Sequence, residues 1–212
     1  MNSGRDLPLM MLTRVLLASA LVTLAGCSEI RLETVRNGTL DFDESKTIGD
    51  VLDNRDLLSN GNWKYFDAED GSHVVEFTGQ IDGLQGEIET LQTEFKENPA
   101  ALTLGALAGG GEMGALGLGM ILNSGIEIHG CNYTIQFLMS KRDIERFEIG
   151  AANFTAQVKL PNGKVVEETY DDEDGSILES LYESNKTAIA MLVISRVMLS
   201  GVFQNLMEQI NR

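Results

Sequence analysis

Between Cys131 and Met139 the chain alternates with a period of two: Tyr133, Ile135, Phe137 and Met139 are apolar, while Asn132, Thr134 and Gln136 are polar. Only an extended strand sends successive side chains to opposite faces, so this stretch is a strand with one dry face and one wet face. That pattern is characteristic of antiparallel sheets. Its neighbours follow suit. Residues 63–66 and 73–81 read as two strands joined at Asp70-Gly71, a strong hairpin signal. In the second of these, Val75, Phe77 and Gly79 share one face. Residues 144–160 read as one long strand or a bent pair, Pro161-Asn162-Gly163 turns the chain, and 164–170 closes the meander.

Helical signals interrupt the strands. Thr47-Ile48-Gly49-Asp50 has the capping-box form, which predicts a short helix over 48–58 ended by Asn60-Gly61-Asn62. Leu84, Ile88, Leu91 and Phe95 lie on one helical stripe, and Pro99 stops or kinks that helix. Ser176-Ile177-Leu178-Glu179 is a second capping box, predicted to open a helix over 176–210. The expected fold class is therefore α+β. It comprises a short helix followed by a four-stranded antiparallel meander, a glycine-rich helical insertion at 82–130, and a long C-terminal helix. Trp63, the only tryptophan, is expected to pack under the meander.

The first residues carry an address. Arg14, the apolar run from Val15 to Thr23 and then Leu24-Ala25-Gly26-Cys27 form a secretory signal with small residues before the cut. The run is too short to span a bilayer alone. Leu24-Ala25-Gly26-Cys27 resembles the lipobox of bacterial lipoproteins. That resemblance implies cleavage after residue 26, a diacylglycerol on the Cys27 thiol and an acyl chain on its new amino end. Three chains make attachment effectively permanent. Ser28, where enteric-type sorting would use Asp for inner-membrane retention, points to the outer membrane. An unlipidated signal peptide or an N-terminal membrane helix is the competing reading. The expected organisation is signal peptide 1–26, lipidated tether 27–46 and a single domain 47–212.

Composition narrows the function classes. With 32 acidic and 16 basic residues, net charge −16, the chain repels nucleic acid and anionic lipid surfaces. Once Cys27 carries lipid, Cys131 is left unpaired in an oxidising compartment and is expected to be buried and inert. His129 and Cys131 are two apart, a spacing that would suit a metal or an activated thiol, but the chain has one other histidine, His73. Asp171-Asp172-Glu173-Asp174-Gly175 invites a calcium reading, yet the EF-hand register puts Tyr170 at position one and Leu181 at position twelve. A solvated acidic loop before a helix is the better account. No nucleophile elbow, phosphate loop or zinc-protease motif is present, so no catalytic, cofactor-binding or metal residue is assigned.

Several blocks resemble a domain of bacterial envelope lipoproteins to which no activity is attached. They are Val35-Arg36-Asn37-Gly38-Thr39-Leu40, Thr47-Ile48-Gly49, Trp63, Gly71 with Val74-Val75-Glu76-Phe77-Thr78-Gly79, Thr134-Ile135-Gln136-Phe137 and Phe147-Glu148-Ile149. The helix-then-meander order is also similar to the small lipoprotein of the barrel-assembly machinery and to inhibitor-type modules, a likeness of fold alone. The implied function is an outer-membrane-anchored, periplasm-facing lipoprotein, non-enzymatic, that binds an envelope partner or supports an assembly. The alternative rests on residues 100–122, where small residues recur at fourfold spacing (Gly105 and Gly109, Gly110 and Gly114, Ala115 and Gly119). That reading is a membrane-inserting or surface-exclusion-type homo-oligomer. Glu112 in mid-segment opposes insertion, and a helical hairpin or a loop are the other readings. If this segment packs on the C-terminal helix, Glu112 and Arg196 are expected to pair.

Overall fold

The computed structural model describes residues 28–98 and 124–200. Cys27, the signal segment, residues 100–122 with Glu112, and the end of the expected C-terminal helix lie outside the described residues. The described chain is α+β. Helix α1 covers residues 28–37 and α2 is Ile48–Leu52. Then come β1 (Leu58–Asp67), β2 (His73–Ile81), α3 (Leu84–Glu97), β3 (Glu127–Met139), β4 (Phe147–Lys159), β5 (Val165–Asp171), α4 (Ser176–Tyr182) and α5 (Lys186–Leu199).

The sheet has five strands in the order β1-β2-β3-β4-β5, all neighbours antiparallel. The expected four is corrected to five, because each of the extended segments around Trp63, 73–81, 131–139, 144–160 and 164–170 forms its own strand of the one sheet, that around Trp63 as a ten-residue edge strand and 147–159 as one strand with a bulge. Gly71, with φ of 77°, makes the β1–β2 turn that its Asp-Gly pair predicts. The alternation in β3 holds, with Cys131, Tyr133, Ile135, Phe137 and Met139 all buried. They meet Phe77 of β2, Phe154 of β4 and the apolar faces of the helices in one continuous core. Helix α3 contributes Leu84, Ile88 and Leu91, and α5 contributes Ile189, Ala190, Val193, Ile194 and Val197.

Five local expectations change. The stretch expected as a tether begins instead with α1, and Val35 reaches full burial in the core. Leu32 packs beside it, half-buried, while Ile30 is exposed. Helix α2 has the Thr47–Asp50 capping box with both bonds formed, but it stops at Leu52. Asn60-Gly61 does not end a helix; it sits at an irregularity in β1, where Asn60 takes φ of 53°. The C-terminal helix is not continuous: Ser184 at φ of 55° breaks it, and the Asn185 side chain caps the new helix through Ala188 N at 3.0 Å. A residue in the left-handed region closes one helix because its carbonyl no longer points along the axis.

The fourth change concerns the second capping box. The residue before α4 is Gly175, which offers no side chain, and Ser176 is already helical. Asp172 caps from outside instead, accepting from Ile177 N at 3.1 Å and Leu178 N at 3.2 Å. Trp63 is half-buried rather than enclosed. It lies against Phe77, ring centroids 4.9 Å apart, and donates Nε1–H to Asp53 at 2.9 Å. Among the described residues no helix is long and apolar enough to cross a membrane.

Candidate functional site

The sequence-derived candidates separate. His129 sits where the β3–β4 register shifts, between Ile128 and Gly130. A bulge adds one residue, so the side chains on either side of it no longer follow simple alternation. His129 is exposed and faces Glu127, Nε2 to Oε2 3.0 Å, whereas Cys131 is buried. Burial pushes the Cys131 thiol up to about 12, which leaves almost no thiolate at neutral pH. The pair forms no joint site. Among the described residues no group of three or more His, Cys, Asp or Glu side chains is placed to hold a metal ion.

The acidic loop is a structural joint. Asp172 is buried, and besides its two helix amides it accepts from the Tyr133 hydroxyl at 3.1 Å. Burial and the neighbouring Asp172 charge push the Tyr133 phenol far above its usual range. Asp174 accepts from Ser176 Oγ at 2.8 Å and from Arg196 Nη2 at 3.1 Å. Those partners, the Ser176 hydroxyl first, hold its carboxyl below the usual range. Arg196 thus has an acidic partner other than the one expected.

A second polar cluster went unnoticed in the sequence because its members come from three elements. Arg31 of α1 donates to the Tyr65 hydroxyl on β1, and its guanidinium lies 5.1 Å from that ring's centre. The Tyr65 hydroxyl reaches Asp67 at 2.5 Å, and His73 Nδ1 lies 2.5 Å from the same carboxylate oxygen. The Tyr65 hydroxyl also lies 2.9 Å from His73 Nδ1, so Tyr65, Asp67 and His73 are engaged with one another. The cluster clasps α1 to the first hairpin.

A further feature is a cleft with a largely apolar lining. It measures about 530 Å³ and runs between the loop after α1 and the start of β4. Leu40, Phe42, Phe147 and Ile149 give it an apolar lining, and Asp41, Glu145 and Glu148 charge its rim. Phe42 is 48% exposed and Ile149 41%, both large for apolar side chains. Phe42 is held edge-on against Tyr182, centroids 4.9 Å apart, and Phe147 against Phe137 at 5.8 Å. The walls are therefore fixed from behind while their front is open.

The strand beside the cleft is half finished. β5 pairs with β4 only from Asn153 to Lys159, and one further bond, Asp172 N to Ala152 O at 2.9 Å, extends the ladder. Residues 148–151 are exposed. A second bulge falls here, between the Gln136 and Phe137 pairings, and Gly150 is needed because a β-carbon would lie 2.5 Å from the Leu138 side chain. Among the described residues no strand pairs with the outer edge of 147–151. Sequence alternation could not reveal this, since pairing is a property of the partner strand's length. Set against known protein families, curated proteins and solved structures, the chain matches none of them.

Proposed function

We propose that the protein is a lipid-anchored, non-enzymatic binding module of the bacterial outer membrane, attached through acylated Cys27 and presenting the Phe42–Ile149 cleft to an envelope protein partner. The anchor rests on Leu24-Ala25-Gly26-Cys27 and its upstream apolar run. The observation that carries the binding reading is the open cleft, whose apolar walls are exposed yet braced by buried rings. Apolar concavities with a few polar groups at the rim are where proteins take up ligands and partner side chains. The side-chain clusters elsewhere support the non-enzymatic part, because each is engaged in holding elements together.

Radiolabelled palmitate tests the anchor. Cys27→Ala is expected to lose the label and to appear uncleaved or free of the membrane fraction. Label retained by the variant would contradict the lipoprotein reading.

A further inference from the structure

The cleft and the unpaired strand edge share residues, and their combination specifies a mode of binding. Resting on the binding-module reading, we infer that the partner contributes an extended peptide segment, alternating apolar and basic residues, that adds as a strand along 147–151 of β4. Backbone groups on an unpaired edge are a template for a further strand, and strand addition takes its affinity from main-chain hydrogen bonds and its specificity from pockets for alternate side chains. β5 ends its pairing at Asn153, so an added strand continues the fifth position of the sheet where β5 leaves off.

The side-chain pattern follows from the pleat. Phe147 and Ile149 pair with Met139 and Phe137, which are buried among the helices, so they lie on the helix side of the sheet. That side holds the cleft, and it receives the apolar residues of the incoming strand between Ile149 and Phe42. Glu148 pairs with Leu138 on the opposite, open side and meets the intervening residues. Asp41, Glu145 and Glu148 make the rim acidic, and the one cation there, Arg146, is paired with Asp143 at 3.1 Å. With a net charge of −16 over the chain, the complementary segment is basic. A second copy of this chain would bring acid against acid, which opposes edge-to-edge pairing of two copies.

The test uses the full chain in a non-ionic detergent and two synthetic heptapeptides, Lys-Val-Lys-Ile-Lys-Val-Lys and its glutamate counterpart. Hydrogen exchange is followed by mass spectrometry. The basic peptide is expected to slow exchange in 147–151 at least tenfold, and the acidic one to leave it unchanged. Phe42→Ala and Ile149→Ser, both at exposed positions, are each expected to weaken binding about tenfold, and Val165→Ser on the far part of β5 to leave it unaltered. Replacing the peptide's central Ile by Ser provides the same comparison without altering the protein.

Equal binding of the acidic peptide, or protection confined to other segments, would overturn the inference. So would self-association on sedimentation that Ile149→Ser abolishes, since the edge would then be occupied by a second copy. If the peptide fails while a photocrosslinker at Phe42 still captures one envelope protein, strand addition is wrong and the binding-module reading stands. If both fail, both are wrong.

Discussion

The two halves of β4 are built from one continuous strand and end in different states. From Asn153 to Lys159 the strand is paired on both sides, and Phe154, Ala156 and Val158 are fully buried beneath the helices. From Phe147 to Ala151 it is paired on one side only, and Ile149 is left exposed beside an open cleft. Composition does not separate them, since both halves mix apolar and polar residues. What separates them is the length of β5 and the bulge at Gly150, which turns the first half away from the register of the second. The completed half lies in the core, and the unfinished half is the part to which the proposed function assigns binding.

The contrast can be broken most severely from the finished side. Phe154 is fully buried and stacks on Tyr170 with centroids 5.0 Å apart. Phe154→Ala is expected to cost ~3–5 kcal/mol in urea unfolding. Ile149→Ala, four residues beyond the pairing of β5, is expected to stay within about 0.5 kcal/mol of wild type, as exposed positions do. Equal losses at the two sites would show that both halves are core.

Asp172 marks the boundary between the halves, because its amide closes the ladder at Ala152 while its carboxylate starts α4. Asp172→Ala leaves the Tyr133 hydroxyl and two helix amides without their acceptor, and is expected to cost about 2–4 kcal/mol. Asp174→Asn, two residues on and exposed, is the control. If the two variants melt alike, Asp172 does not join the sheet to α4.

The smallest effect concerns Arg196. A double-mutant cycle with Asp174→Asn and Arg196→Met is expected to give a coupling of ~0.2–1 kcal/mol, the usual range for a solvent-exposed pair. A coupling of several kcal/mol would mean that the pair is shielded from water and helps to hold the helical layer on the finished half.

Much of this architecture was legible in the residues. The alternation of Tyr133 to Met139, the Asp70-Gly71 turn, the Thr47 capping box and the stripe of α3 all appear where local physics puts them. Hidden features depend on distant partners or on single backbone angles. The register shift beside His129 defeats simple alternation, Ser184 ends a helix that its neighbours would continue, and Asp172 caps from four residues before the first helical position. The cleft was invisible for the same reason. Phe42 and Ile149 are more than a hundred positions apart, and only the fold brings their segments to one cleft.

Whether the unfinished half of β4 and the cleft beside it meet a partner is read by site-specific photocrosslinking in the native envelope. A photoreactive residue is placed in turn at Phe42, at Ile149 and, on the finished half, at Gln157. An adduct with one and the same envelope protein is expected at the first two positions and none at Gln157. Adducts at Gln157 alone, or at none of the three, would contradict the proposed binding at the unfinished half.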